Sequence, residues 1–276
     1  MQSLILELTR LYLLEHQLGY EGAGREQAVA ISHSWLEQHL LGLKTLLLDL
    51  RAPAQAGVGR TIVLDFSAGG AVKGEQQWRA LCAVANGLRE SLQLPSPAVS
   101  ISGNGFQLWL SLAEPAPAAA LAEFARLLHQ AYLPDEKDKG NGVLLTVAEL
   151  PPARLQGGKW AAFIHPGMGA SFADEPALDM APPVGAQLGF LEGLRSMSAA
   201  ECAGALATLR GPSVEPAPAE SAAQRITSGT PATPSTPSAS ALPDGLLLKD
   251  ASLEDIVKVL HARHIEPTFR YLLVKD

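Results

Sequence analysis

An α+β domain is what the sequence predicts, on three observations. Strand-like and helix-like patterns take turns between residues 60 and 200. Of the 276 residues, 47% are hydrophobic, enough to bury a sizeable core. From Gly211 to Pro243 the composition shifts to Pro, Ser, Thr and Ala with no aromatic residue, which sets that stretch apart from the domain before it. The expected organisation is an N-terminal helical segment over 1–55, the α+β domain over 56–205, a disordered linker over 206–243 and a small C-terminal helical tail over 244–276.

The opening "MQSLILELTRLYLLEHQLGY" places Leu4, Leu8, Leu11 and Glu15 at helical spacings, with Gly19 as a stop signal. Glu7, Arg10 and Glu15 interrupt its apolar run and no basic lead precedes it, so it reads as neither a signal peptide nor a membrane span. A second amphipathic helical segment is expected from Arg25 to Leu50, after the "GYEGAG" break. Then come a strand, "RTIVLDF"; a helix, "EQQWRALCAVANGLRESLQ"; a strand broken by a turn, "AVSISGNGFQLWLSL"; a helix, "PAAALAEFARLLHQAYL"; and a strand, "GVLLTVAEL". The proline-rich stretch cannot bury enough apolar surface to offset its ordering entropy and reads as a tether. In the tail, Ser252 is a helix cap and Leu253, Ile256, Val257 and Leu260 share one helical face. Some thirty residues cannot hold a core alone, so residues 244–276 are expected to dock on the main body or on a protein partner.

A formal net charge of -7 works against broad, sequence-independent nucleic-acid binding, which Lys and Arg drive by displacing counterions. Two cysteines, Cys82 and Cys202, suit reduced thiols in a cytoplasmic protein better than a disulfide framework.

Three places carry candidate chemistry. Asp65 ends an apolar strand before a small-residue loop, where a carboxylate can hold magnesium or manganese or can simply cap the following turn. The turn Ser102-Gly103-Asn104-Gly105 can gather backbone N–H groups into an anion-binding nest or can merely reverse the chain. His165, before Pro166-Gly167, can donate to a phosphate, with Lys159 and Arg154 as nearby positive charge. Among the tryptophans, Trp35 and Trp78 sit on amphipathic helices as core residues, and Trp109 on the broken strand is the best candidate to stack a base. His261 and His264, three apart on the tail helix, read as a solvated helix end.

Taken in order, these pieces resemble the primase-polymerase domain of the archaeo-eukaryotic primase superfamily, in particular the primases of mobile elements and the polymerase domain of bacterial end-joining ligases. The resemblance spans roughly residues 60–185 and is carried by "SISGNGFQLWLSL". It implies a core with an RNA-recognition-motif-type sheet that binds a nucleoside triphosphate and metal ions on its exposed face. Asp65 would be a catalytic carboxylate and metal ligand. Ser102, Gly103, Asn104, Gly105, Gln107, Lys159 and His165 would bind the nucleotide. The departures are specific. Ser67 stands where the family has a second carboxylate, Gln107 where it has a histidine, and "VLLTVAEL" offers Thr146 and Val147 where it has a further acidic ligand, with Glu149 displaced toward the strand's end.

Three readings follow. One is a catalytically degenerate relative that binds nucleotide or single-stranded nucleic acid weakly, or serves as a non-catalytic subunit of a DNA replication or mobile-element complex. Another is an active nucleotidyltransferase that combines Asp65 with Glu149 or Asp174. The last is an interaction protein that recruits its partner through the tethered tail.

Overall fold

Leu4, Ile5, Leu8, Leu11 and Tyr12 recur at helical spacing, and in the computed structural model they are the buried residues of α1, Gln2–Tyr12. The structure describes residues 1–15, 17–22, 28–50, 57–67, 74–134 and 140–211. Gly19 does not end the helix; it lies in β1, Leu18–Glu21, where a Cβ would come within 2.7 Å of Leu47 O. Its use is close strand approach. The helix expected from Arg25 to Leu50 divides into β2 (Ala28–Ala30), α2 (His33–Leu40) and β3 (Leu46–Asp49). Ser32 caps α2 by accepting from Trp35 N, and Gly42, at φ +70°, follows its end. The run "LLLD" alternates instead of following a helical period, with Leu46 and Leu48 buried in the core and Leu47 half-buried on the other face.

The expected alternation then holds. β4 is Val58–Asp65, α3 is Gly74–Asn86, β5 is Ala98–Ile101, β6 is Phe106–Pro117 and α4 is Ala118–Tyr132. The single strand expected over "GVLLTVAEL" is two, β7 (Val143–Leu144) and β8 (Val147–Glu149), because the chain changes sheets between them. Leu145 N still donates to Val63 O of β4 at 2.9 Å, while Thr146 O already accepts from Leu50 N at 3.0 Å. After β9 (Ala153–Arg154) and β10 (Trp160–Ile164) come α5 (Val184–Glu192) and α6 (Ala199–Arg210). Ser198 and Glu201 form a reciprocal capping box at the start of α6. The helix runs through 206–210, residues expected in the linker, and buries Leu206. The linker beyond 211 and the whole tail 244–276 lie outside the described residues.

Six strands, in the order β7-β4-β6-β5-β10-β9, form the central sheet, and each neighbouring pair is antiparallel. Strand alternation gives it two apolar faces. Ile62, Leu64, Leu108 and Leu110 pack with Leu81 and Val84 of α3, Phe124 and Leu128 of α4 and Leu206 of α6. Val63, Trp109 and Phe163 pack with Leu4 and Leu8 of α1, Leu191 of α5 and Leu46, Leu48 and Ala148 of a second sheet, ordered β2-β1-β3-β8. The N-terminal segment therefore shares a core with the central sheet.

Trp109 belongs to that core and is closed to a base. It is wholly buried, donates from Nε1 to Ser100 Oγ at 3.0 Å, and meets Tyr12 and Phe163 edge-on at 5.3 and 5.9 Å. Cys82 and Cys202 are free thiols. Among the described residues no helix is long and apolar enough to cross a membrane.

Candidate functional site

Antiparallel register puts Asp65, the last residue of β4, directly opposite Gln107 of β6, and Gln107 opposite Ser100 of β5. The three side chains share one face of the sheet. Gln107 donates from Nε2 to Asp65 Oδ1 at 3.3 Å. Ser67 donates to Asp65 Oδ2 from its backbone N at 3.3 Å and, in a shorter bond, from its hydroxyl. Both oxygens of Asp65 thus face protein donors, and the carboxylate closes the turn at the end of β4. Ser67 and Gln107 are the residues that hold it.

The glycine turn has similarly local employment. Ser102 donates to Gly105 O from both N, at 3.0 Å, and Oγ, at 3.2 Å. Gly103, at φ +88°, donates its N–H to Pro176 O at 2.8 Å. Two of the N–H groups expected to form an anion nest are therefore spent inside the protein. Gly105 is needed for close packing: a Cβ there would lie 2.8 Å from Ser67 Cα and 3.0 Å from Phe66 O.

A second glycine turn faces this one. In the β9–β10 hairpin, Gly157 and Gly158 have φ of +91° and +89°, and Leu155 N donates to Lys159 O at 2.8 Å. Because β10 runs antiparallel to β5, with Ala162 opposite Ile101, both turns project from the same end of the sheet. Between them is a cavity of about 400 Å³ lined by Ser102, Gly103, Asn104, Glu149, Gln156 and Lys159, with Leu155 and Ala177. The structure thus brings Lys159 to the Ser102–Asn104 turn. Its ammonium pairs closely with Glu175 and lies 3.6 Å from Asp179.

His165 is elsewhere. It follows the far end of β10, roughly 20 Å of extended chain from Lys159. There its Nδ1 accepts from Gly167 N at 3.0 Å, capping a short 3-10 turn. The cap explains why His165 precedes Pro166-Gly167, and it takes the residue out of the cavity.

Glu149 is the cavity residue whose part the sequence did not show. Burial pushes its carboxyl from the ordinary 4.5 up to about 7, and its Oε1 is sealed from solvent with no hydrogen-bond partner. The signal available was "QGGK", a tight turn that predicts a hairpin returning to the sheet; that it closes over Glu149 depends on the change of sheets at Thr146.

Divalent cations prefer carboxylate oxygens, and a two-cation centre needs several around one point. Here Asp65 faces an amide and a hydroxyl, and among the described residues no three His, Cys, Asp or Glu side chains form a set that could hold a metal ion. The residues present do not fit a pair of magnesium or manganese ions.

No protein-family model matches the chain, and no curated protein does. Its structure is similar to primase-polymerase domains. The AEP domain of the cyanophage S-2L primase-polymerase aligns at 15% identity and a TM-score of 0.37, over 69% of this chain and 97% of that one. The polymerase domain of Mycobacterium tuberculosis ligase D, in complex with DNA, aligns at 18% identity and a TM-score of 0.38, over 62% of this chain and 69% of that one.

Proposed function

We propose that this chain is a primase-polymerase-like protein without nucleotidyl transfer, which binds the phosphates of a nucleotide or of single-stranded nucleic acid weakly in the cavity between its two glycine turns. It acts as a non-catalytic member of a DNA replication or mobile-element complex. The observation that carries this reading is the state of Asp65, whose two oxygens accept from Gln107 and Ser67. To ligate a cation, the carboxylate must share its oxygens with those donors, and it has no second carboxylate beside it in the motif. Binding is supported by Lys159 and the exposed amides of Asn104 and Gln156, which all line the cavity. Neutral amide donors are roughly half as strong as charge-assisted ones, hence the weak affinity.

The test is primer synthesis and extension by the purified chain with magnesium or manganese, beside a nucleoside triphosphate titration followed by tryptophan fluorescence. The expected result is no extension, and weak binding that survives Asp65→Ala and is lost in Lys159→Ala. Metal-dependent extension that disappears in Asp65→Ala overturns the proposal.

A further inference from the structure

The cavity between the two turns has donors on several sides and one ionisable acceptor. Lys159, Asn104 and Gln156 supply the donors, and Glu149 is the only carboxylate among its lining residues. Glu149 leaves β8 on the same face of the second sheet as Leu47 and Tyr20, its neighbours across the strands. Asp49, His39 and Lys159, on the elements beside it, have other partners. Asp49 of β3 accepts from the Tyr20 hydroxyl at 3.0 Å. His39 of α2 bonds the carbonyl of Leu150 at 2.6 Å and accepts from Leu46 N at 3.0 Å. Lys159 is drawn toward Glu175 and Asp179. Among the described residues no cation pairs with Glu149, and its Oε1 has no donor.

We infer that Glu149 is a proton-operated gate on this cavity: protonated, it leaves the donors of Asn104, Gln156 and Lys159 to hold a phosphate-like oxyanion, and ionised, it sets a like charge on the cavity wall and the anion leaves. The inference rests on the reading of the cavity as a phosphate site and adds its control. Burial sets the change of state at about pH 7, so the gate works around neutrality. One proton is taken up from solvent as the anion enters, and affinity therefore rises as pH falls. By reciprocity a bound anion makes the carboxyl harder to ionise.

Sulfate is the probe, because it keeps its double charge across the range used. Its affinity for the full chain is measured by calorimetry at about pH 5.5 and about pH 8.5, on either side of the carboxyl's transition. The expected result is binding about tenfold tighter at the lower pH, from removing one like charge a few ångströms from the anion. In Glu149→Gln the affinity is the same at both values and matches the low-pH affinity of the parent. A carboxyl-carbon NMR titration of the unaltered protein gives a readout independent of any variant's folding: sulfate moves the Glu149 transition upward by about one pH unit, the tenfold effect seen from the other side. Equal sulfate affinity at the two pH values, or a pH dependence that persists in Glu149→Gln, overturns the gate. Nucleotide binding that depends on Lys159 but ignores pH overturns the gate alone. If neither sulfate nor nucleotide binds at either pH, the phosphate reading of the cavity falls, and the gate with it.

Discussion

Replacing Glu149 with Gln keeps the shape of the side chain and removes its charge, which makes the cost of burying that charge measurable. In the folded protein the carboxyl keeps its proton up to about pH 7, whereas in the unfolded chain it releases it near its ordinary 4.5. Between those values the folded state binds more protons than the unfolded state. Stability therefore falls as pH rises through the window, and the whole cost is present above about pH 7. At about 1.4 kcal/mol for each tenfold change in proton affinity, the gap from 4.5 to about 7 is worth roughly 3 kcal/mol. About 2–3 kcal/mol of it falls between pH 5 and pH 8.5.

The Gln variant escapes this cost but leaves an amide without a partner, at about 1–3 kcal/mol. That second cost does not vary with pH, so the informative quantity is how the difference between the two proteins changes. Urea unfolding at pH 5 and pH 8.5 should show the variant gaining about 2–3 kcal/mol on the parent as pH rises. In thermal unfolding, at roughly 2–4 °C per kcal/mol for a domain of this size, the gain is about 5–10 °C. A stability difference that stays constant between the two pH values refutes the argument, whichever protein is the more stable.

His39 acts in the opposite direction. Burial lowers its pKa, so the folded state resists the proton that the unfolded chain takes up below about 6.5, and stability is lost as pH falls through that value. His39→Leu strands Leu46 N–H and Leu150 O, and should lose about 2–4 kcal/mol in urea unfolding at pH 7 while becoming less acid-sensitive than the parent. Trp109→Phe should lose about 1–3 kcal/mol in the same assay, through the lost Ser100 bond and the space left beside Tyr12, with unchanged nucleotide affinity. Ser67→Asp sets a second carboxylate against Asp65 and should cost about 1 kcal/mol above pH 5, partly recovered by manganese in a thermal-shift assay, without restoring primer extension.

What could be read in the sequence was whatever local periodicity decides. The β-branched run in "RTIVLDF", the turn in "SGNG" and the amphipathic runs of α3 and α4 each specify their element from their own residues. "LLLD" and "VLLTVAEL" do not, because short apolar runs suit helix or strand equally and the choice is made by partners. β3 is a strand because β1 and β8 flank it. "VLLTVAEL" breaks because β4 takes its first half and β3 its second. Lys159 could be placed near the Ser102–Asn104 turn only once the β9–β10 hairpin was seen to face it, and His165 left the site for the same reason, since one strand carries the two residues to opposite ends.

The site adds a further point about what a strand-end carboxylate does when donors surround it. The absence of a second carboxylate beside Asp65 bears on how it would hold metal, but not on what the carboxylate does in the fold. Its neighbours Ser67 and Gln107 both bring donors, where a cation site calls for acceptors. The register then aims them at Asp65 from two sides. A lone carboxylate facing a weak cation site would remain a solvated charge; one that accepts from a hydroxyl, a backbone N–H and an amide becomes part of how β4 ends. Gly105 belongs to the same arrangement, because any side chain there would push against Ser67 and Phe66 and loosen the turn from the strand. Asp65, Ser67, Gln107 and Gly105 therefore work as one structural unit, and a change at any of them is felt at the end of β4.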